Sequence, residues 1–467
     1  MRAESLPRRT WPIVFSVGFF VLGNLYFFRW GPVVQHTPSS WLSPADLWST
    51  YYASVAFIHG NWNATYSTNT GFLAFPGILI LLAPVAALDR SLHTSLVEVM
   101  KNHHLVAHPK TFMFSGPVTP HGTLATFGKE QLAPHPQVYL LLAPYEMILS
   151  VVALFACDAL AERLGVSWTR RALLGAVEAG LLWNVSIRWG HPQDALAVGF
   201  AVYAVILGLD QRWKGAGWLF GAALAVQPLV ILVLPILLAM AGRERALGLM
   251  ARGIAPAVVV TIPPLAGDFR HTFTALTQQK AFPLRNHATP WTTFAPKLGG
   301  SKKLVAVGGG PVRLVSLALA ALLGWWSRRW RTKPEMLVWA VAVAFALRSY
   351  TESVLTSYYL WPALAVALVV AARCPSWRFA LAIAAAVFTS IAAQWNLGEF
   401  PWWALDVAGI TVVLAAAAAP DATADVEPRA ERGAAAASAA TPRRKPSASK
   451  KKSRKQQRVS QRRGTRR

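Results

Sequence analysis

Long apolar runs separated by short polar segments recur along the chain as far as residue 419. A helix that crosses the ~30 Å hydrocarbon core of a membrane needs roughly 20 mostly apolar residues, so the pattern predicts about ten to twelve transmembrane segments. They are expected near residues 11–28, 71–88, 137–160, 172–187, 194–210, 216–241, 249–265, 311–326, 335–348, 353–373, 378–395 and 402–419. The predicted fold is therefore all-α, a polytopic membrane helix bundle.

Prolines interrupt several of these segments, and in two of them the interruption affects the expected topology. In 216–241 the run is broken at Gln227-Pro228, and the residue before a proline avoids the helical conformation. This segment is therefore expected to turn at that point and to leave the membrane on the side where it entered. For residues 71–88 the charge distribution leaves two alternatives: the segment is re-entrant, or a further crossing lies within 89–136.

The composition agrees with a membrane protein. Hydrophobic residues make up 54% of the 467 positions and charged residues 14%, whereas about 25% of an ordinary soluble domain is charged. The two cysteines, Cys157 and Cys374, lie in apolar segments, so neither a disulfide framework nor a CxxC metal site is expected. The N-terminal segment has basic and apolar parts but no clear cleavage site, which favours a retained first span.

Positive charge is concentrated at the C-terminal end of the chain. The formal net charge is +25, and residues 429–467 carry fifteen Lys and Arg against one Glu, a net of +14. This composition predicts a membrane domain over 1–419 and a disordered basic tail over 420–467. Anionic lipid is the expected partner of the tail, and no nucleic-acid partner is predicted.

Lys and Arg next to spans favour the cytoplasmic side of the membrane. The basic segments that are expected there, with the tail, are 162–171, 210–215, 242–252, 327–335 and 372–378. The segments that are then expected outside are the long loops 29–70, 89–136 and 266–310 and the short loops 184–194, 348–353 and 394–403.

Ionisable residues close to membrane depth are candidates for function, because burying a charge in a membrane is costly. Four clusters qualify: Asp46 with Tyr51, Tyr52 and His59; Arg188, His191, Gln193 and Asp194; Arg348, Glu352 and Tyr358; and Arg270, His271, Lys280, Arg285 and His287. Arg348 and Glu352 are four residues apart and would share a helix face. The cations of the fourth cluster suit an anion such as a lipid phosphate, with ordinary loop charge as the alternative.

Two other features have both a plain and a functional interpretation. Asp46 precedes a helix-like run that ends at Gly60, so it is either a helix cap or a general base that takes a proton from a hydroxyl group. The loop 89–136 is rich in histidine and could bind a divalent metal, but Pro109 ends any helix there and no metal motif is present. A solvated loop is the plainer interpretation.

Several motifs occur in an order that is typical of one family of membrane enzymes. They are "DLWSTYYASVAFIHGNWNATY" from Asp46, "FPGILILLAP" in the second segment, "GHPQDALAVGF" from Gly190, "GAGWLFGAALAVQPLVILVLPILL" around Gln227, and "SYYLWPAL" from Ser357. In these features the chain resembles the GT-C fold integral-membrane glycosyltransferases, in particular the mannosyl- and arabinosyltransferases that use polyprenyl-phosphate sugars. Two features depart from that pattern: Gln227 stands where many relatives have Lys, and the insertion 89–136 is not typical of the family.

The resemblance implies a sugar transferase of the plasma membrane whose active site faces outside. Its donor would be a polyprenyl-phosphate sugar, mannose or arabinose, and its acceptor a cell-envelope glycan or glycolipid. The implied catalytic carboxylates are Asp46, Asp194 and Glu352, the implied substrate-binding residues are Tyr51, Tyr52, His191 and Tyr358, and the implied donor-phosphate ligands are Arg270, Lys280, Arg285 and Arg348. Neither an inverting nor a retaining outcome follows from the resemblance.

Other functions are compatible with the same pattern. A transporter or flippase of amphipathic lipids also uses broken helices and charged span ends, and a non-catalytic scaffold could present the basic tail. The chain has neither a GxGxxG motif after a strand nor a GxxxxGK[ST] motif, so no nucleotide cofactor is predicted.

Overall fold

The computed structural model describes residues 9–30, 45–66, 72–91, 136–279, 281, 287–298, 306–395 and 397–418. Its α-helices are α1 (Thr10–Trp30), α2 (Ala45–Ile58), α3 (Trp62–Thr65), α4 (Gly77–Ser91), α5 (Pro136–Ser150), α6 (Val152–Arg163), α7 (Trp168–Trp183), α8 (Pro192–Leu209), α9 (Trp213–Val226), α10 (Leu234–Ala241), α11 (Arg243–Gly267), α12 (Phe269–Thr277), α13 (Gly310–Ser327), α14 (Pro334–Thr351), α15 (Trp361–Ala371), α16 (Ser376–Ala392) and α17 (Glu399–Ala417).

Short irregular elements connect these helices. A π-helical turn spans Asn184–Arg188, and 3₁₀ turns span Pro228–Val233, Pro290–Phe294, Arg328–Trp330 and Ser357–Leu360. Two-residue strands form two small antiparallel pairs: β1 (His287–Ala288) with β4 (Val354–Leu355), and β2 (Lys297–Leu298) with β3 (Ala306–Val307). The predicted all-α architecture is confirmed, and the strand pairs only tie loops together.

Many of the helices are long and apolar enough to cross a membrane. Among the described residues five helices meet this condition: Leu141–Arg163, Pro192–Leu209, Arg243–Gly267, Gly310–Trp330 and Phe400–Ala417. Five more apolar helices are shorter: Thr10–Tyr26, Gly77–Leu88, Pro228–Ala241, Ser357–Ala371 and Ser376–Ala392. Every residue of α15 is buried, as are most residues of α8, so these two helices lie in the interior of the bundle.

Arginines of several loops meet at one end of the bundle, which we call the basic end. The contacts are Arg163 with Asp210, Arg170 with the Cys374 carbonyl, Arg245 with Gln211, Arg331 with the Ala239 carbonyl, and Arg378 with the Ala416 carbonyl. Each of these arginines belongs to a loop that the sequence assigns to the cytoplasmic side. The opposite end, which we call the polar end, carries 184–194, 287–294 and 348–358.

The break at Gln227 is confirmed. The helix α9 ends at Val226, and Gln227 has an extended backbone (φ −147°, ψ 121°) before Pro228 starts a 3₁₀ turn. The chain then returns through α10 to the basic end, where the Arg245 guanidinium donates to Gln211 Oε1 at 3.0 Å. Because proline removes a backbone donor and forces its predecessor out of the helical region, this dipeptide produces the turn.

The second apolar segment forms a short helix. The fifteen residues of α4 span about 22 Å, which is less than the ~30 Å hydrocarbon core. A Cβ atom on Gly77 would lie 2.4 Å from the Ala225 carbonyl oxygen, so α4 begins against the end of α9. The Ser54 hydroxyl donates to the Leu79 carbonyl at 2.7 Å and joins α4 to α2. This length favours the re-entrant alternative. The other alternative is a further crossing within 89–136, and residues 92–135 lie outside the described residues.

Candidate functional site

The residues between α7 and α8 place a buried carboxylate at the polar end. The π-helical turn ends at Arg188, and Gly190 adopts a left-handed backbone (φ +67°), which glycine tolerates without strain. Pro192 then occupies the first turn of α8, where a proline costs no backbone hydrogen bond. Asp194 follows in the same turn and is only 2% exposed. A negative charge is favoured there by the helix dipole.

Asp194 contacts residues of two other segments. Its Oδ1 accepts a hydrogen bond from Gln227 Nε2 at 2.8 Å, so the break in the α9–α10 segment delivers a donor to this carboxylate. Its Oδ2 lies 3.0 Å from His191 Nδ1, while Gln193 Nε2 lies 2.9 Å from the same ring nitrogen. His191 Nδ1 can accept from the Gln193 amide when it carries no proton, or donate to Asp194 when it carries one. The arrangement can therefore exchange one hydrogen bond for the other, depending on whether Nδ1 carries a proton.

Aromatic rings connect this region to the start of α15. The His191 ring stacks on Tyr358 with centroids 3.9 Å apart, and Trp189 lies 5.5 Å from the same tyrosine ring. Tyr358 in turn contacts Tyr359 edge to face at 4.7 Å. The late Tyr-Tyr motif is thus packed directly against the "GHPQD" motif, although the two are separated by more than 150 residues.

Two arginines approach Glu352 at the end of α14. Glu352 Oε1 accepts from Arg313 Nη2 at 2.9 Å and from Arg313 Nε at 3.2 Å. Arg348 Nε is farther away, 4.0 Å from Glu352 Oε2, and its guanidinium carbon lies 3.3 Å from the centroid of the Tyr359 ring. Among the described residues Glu352 is the only ion-pair partner of Arg348. Arg348 therefore combines a cation–π contact with donors that a further anion could use.

The two regions form one polar cluster, which we define as His191, Asp194, Arg348, Glu352 and Tyr358. The carboxylates of Asp194 and Glu352 both exert an electrostatic effect on the Arg348 guanidinium. Each member of the cluster is among the residues that the sequence singles out. The structure therefore places His191, Asp194 and Glu352 near one another, while the roles that the resemblance implies for them stay predictions.

The loop around residue 290 holds the segment that carries Glu352 in place. Thr289 Oγ1 donates to the Glu352 carbonyl at 2.6 Å, and Trp291 Nε1 donates to the Tyr350 carbonyl at 2.6 Å. Next to these contacts His287 stacks on Trp402 at 3.8 Å, and burial lowers the pKa of His287 below its ordinary value. His287 therefore contributes a neutral ring to the packing of this loop rather than a cation.

Glu146 is a buried acid near the polar cluster that the sequence analysis overlooked. Its side chain is fully buried on α5, and its Oε1 accepts hydrogen bonds from the hydroxyls of Ser186 and Ser150. Ser186 belongs to the π-helical turn that leads to His191, and the charge of His191 acts on Glu146. A lone acid inside an apolar run is itself a signal of function, so "LLLAPYEMILS" could have identified Glu146.

The remaining predicted residues divide into two groups. Tyr51 is completely buried in the hydrophobic core, and Arg270 is exposed on α12. Asp46 and Tyr52 lie on α2, but their side chains are outside the described part of the structure, as are Lys280 and Arg285. The basic tail 420–467 also lies outside it.

The described residues contain no group of three or more His, Cys, Asp or Glu side chains that could hold a metal ion. The sequence also allows a metal site formed by the histidines between residues 92 and 135. These histidines lie outside the described part of the structure. No cofactor is therefore assigned to the polar cluster.

Comparison of the chain with models of protein families and with curated proteins finds no match. The functional argument consequently rests on the geometry of the polar cluster and on the motifs of the sequence.

Proposed function

We propose that the chain is a membrane glycosyltransferase that moves mannose or arabinose from a polyprenyl-phosphate donor to a cell-envelope glycan or glycolipid. The observation that carries the proposal is the polar cluster, in which a buried carboxylate and a largely buried arginine lie beside stacked aromatic rings. Transfer of a sugar from a lipid phosphate requires a group that accepts a proton and a group that binds an anion. The cluster contains both.

The two ends of the bundle support an orientation for this reaction. The arginine-rich loops share the basic end, and Lys and Arg next to spans favour the cytoplasm. If the basic end is cytoplasmic, the polar cluster faces outside the plasma membrane. A polyprenyl-phosphate sugar in the outer leaflet would then reach the cluster from the lipid, while a glycan acceptor would arrive from the water.

The residues of the cluster suit distinct roles in such a transfer. Arg348 would bind the phosphate, since a guanidinium offers several donors to an oxyanion. A carboxylate would take the proton of the acceptor hydroxyl. At the same time the hydroxyl oxygen would form a bond to the anomeric carbon of the sugar, and the bond from that carbon to the polyprenyl phosphate would break. Asp46 is the base that the family resemblance implies. The resemblance implies two other carboxylates. They are Asp194, which Gln227 orients, and Glu352, which Arg313 neutralises.

A transporter or flippase of amphipathic lipids is the second candidate. The segment that turns back at Gln227 favours it, because broken helices commonly build binding sites within transporters. A non-catalytic scaffold for the basic tail is a third candidate, but it leaves the polar cluster without a role. Direct measurement of sugar transfer separates the first candidate from the other two.

The test is transfer of labelled sugar from a polyprenyl-phosphate donor by membranes that contain the wild type, Asp46→Asn or Asp194→Asn at equal protein level. We expect transfer by the wild type and its loss in Asp46→Asn. Asp210→Asn is the matched control, because Asp210 forms an exposed ion pair with Arg163 at the basic end, and exposed pairs contribute little. If Asp46→Asn transfers as much sugar as the wild type, the general base is Asp194 or Glu352 and not Asp46. No transfer by the wild type with either sugar would favour a transporter.

A further inference from the structure

A small cavity near the basic end lies between α1, α6 and α7, away from the polar cluster. It has room for about one water molecule. Its apolar walls are formed by Trp11, Pro12, Phe15, Leu154, Leu174 and Gly175. Its polar lining consists of Cys157, Asp158, Arg171 and Glu178. Neither the sequence motifs nor the proposed function uses this cavity.

Glu178 is the unusual residue of the lining. Its side chain is 1% exposed, and neither carboxyl oxygen has a hydrogen-bond partner among the described residues. An ionised carboxylate in such a place would cost several kcal/mol. A neutral carboxyl group costs much less, and it can both donate and accept a hydrogen bond.

The cations nearest to the cavity bind other groups. Arg171 donates to Asp158 Oδ1 at 2.8 Å and to Oδ2 at 2.6 Å, and Arg9 donates to the same Oδ2 at 2.9 Å. Arg9 also lies 3.1 Å from Glu162. Glu178 follows Arg171 by seven residues, which places it two helical turns deeper on the same face of α7. The positive charges are therefore paired at the mouth of the cavity, and the carboxyl group lies beyond them.

We propose that this cavity is a proton-binding site, in which Glu178 holds the proton and one water molecule connects it to the Asp158–Arg171 pair. A metal cation does not suit the site. Hard cations take six or more oxygen ligands, whereas here only Glu178 has uncommitted oxygens and Arg171 repels positive charge. A single water with donors and acceptors on both sides satisfies the lining instead.

Proton occupancy would affect the attachment of the N-terminal helix. Phe15 packs directly on α7, since a Cβ atom on Gly175 would lie 2.8 Å from its ring. Loss of the proton would leave an unpaired negative charge between α1 and α7. The charged and titratable groups on the elements around Glu178 are Arg9, Cys157, Asp158, Glu162, Arg170, Arg171, Tyr203, Arg373 and Arg378. Each of the five arginines among them already binds a carboxylate or a backbone carbonyl, so replacing the proton would require one of these contacts to break.

The test is infrared spectroscopy of the full chain in lipid nanodiscs at neutral pH, with wild type, Glu178→Gln and Asp406→Asn compared. Glutamine keeps the shape of the side chain and removes the proton. Asp406 is the matched control because it is also fully buried without a hydrogen-bond partner among the described residues, but it does not line the cavity. We expect Glu178→Gln to remove a protonated-carboxyl band that shifts quickly in D₂O. The band that Asp406→Asn removes should shift more slowly.

Two results would overturn the proposal. If Glu178→Gln removes no protonated-carboxyl band, Glu178 is ionised; if its band exchanges no faster than the band of Asp406, water does not reach the cavity.

A second measurement on the wild type needs no variant to fold. A carboxyl group that is protonated in the folded chain and ionised in the unfolded chain makes folding weaker as the pH rises. The melting temperature should therefore fall as the pH rises above the ordinary pKa of a glutamate, about 4.3, and it should stop falling where the exchanging band disappears. A melting temperature that does not fall over the pH range in which the band persists would contradict the proposal.

Discussion

Three arginines at the basic end and Arg348 at the polar end contact different kinds of group. At the basic end Arg170 donates to the carbonyls of Ala372 and Cys374 at 3.0 and 2.7 Å, which closes the end of α15. Arg331 and Arg378 likewise bind carbonyls at helix ends. At the polar end the Arg348 guanidinium contacts two side chains of the described residues: the ring of Tyr359 and, at 4.0 Å, the carboxylate of Glu352.

This difference separates arginines that hold the bundle together from arginines that can bind a ligand. A backbone carbonyl at a helix end is fixed by the fold, so an arginine bound to it has a constant partner. A guanidinium at the limit of ion-pair distance can move to a new anion without breaking the fold. The comparison predicts that substitution of Arg348 reduces activity, whereas substitution of Arg170, Arg331 or Arg378 reduces stability.

The largest expected effect is on the activity of Arg348→Gln. We expect transfer of labelled sugar from a polyprenyl-phosphate donor to fall about 10²–10³-fold, because one preorganised contact to developing charge is lost. The melting temperature should change little, since Arg313 still neutralises Glu352. Arg348→Lys keeps the positive charge but loses the planar guanidinium group, so its activity should lie between that of the wild type and that of Arg348→Gln. Full transfer by Arg348→Gln at equal protein level would exclude Arg348 from phosphate binding.

The matching substitution at the basic end is Arg170→Gln. It removes three hydrogen bonds, to Ala372, Cys374 and Ser376, which together should destabilise the fold by about 3 kcal/mol at about 1 kcal/mol each. Thermal unfolding in detergent measures this loss. Transfer per folded molecule should equal that of the wild type. If activity falls while stability is unchanged, the division between the two ends is wrong.

The helices could be predicted from the sequence because each depends on a local pattern. Each of the twelve apolar segments falls on described helices, and the turn at Gln227 follows from the proline beside it. Gly60, which was expected to end the helix after Asp46, has a positive φ of 74°. Apolar run length and proline stereochemistry are properties of neighbouring residues, so no long-range contact is needed to read them.

The partners within the polar cluster could not be predicted because they come from distant parts of the chain. Glu352 was expected to share a helix face with Arg348, four residues away, and nothing in that spacing indicated its closer partner, Arg313, which is 39 residues away. Gln227 reaches Asp194 across 33 residues. Local spacing indicates which residues share a helix face, but it does not indicate which helices meet.

The contact between Gln227 and Asp194 gives a prediction of intermediate size. Gln227→Leu removes a donor from a buried carboxylate, so we expect a loss of about 1.5–3 kcal/mol of stability in thermal unfolding experiments. The matched control is Gln394→Leu, because Gln394 donates at 3.0 Å to the neutral Asn184 side chain. This second change should cost about 0.5–1.5 kcal/mol. Equal losses would mean that the hydrogen bond to Asp194 contributes no more to stability than a hydrogen bond between neutral side chains.

The smallest expected effect concerns the loop at the polar end where α12 begins. Hydrogen bonds from the backbone N–H and the ring of His271, at 2.9 and 2.6 Å, hold the pKa of Asp268 below its ordinary value. Asp268→Ala should weaken α12 by about 1 kcal/mol, while Asp268→Asn keeps a capping oxygen and should weaken it less. Amide hydrogen exchange of residues 269–277 measures both changes.

The pH dependence of the same cap follows from the direction of the shift. A carboxyl group whose pKa is lowered by folding stabilises the fold at pH values above its unfolded pKa, and this stabilisation is lost as the pH falls through the folded pKa. The cap should therefore be intact above about pH 4 and weaken below it. Because Asp268 is close to solvent, salt should reduce the effect. If protection of α12 in the wild type falls no further at acid pH than in Asp268→Ala, the carboxylate of Asp268 does not cap this helix in solution.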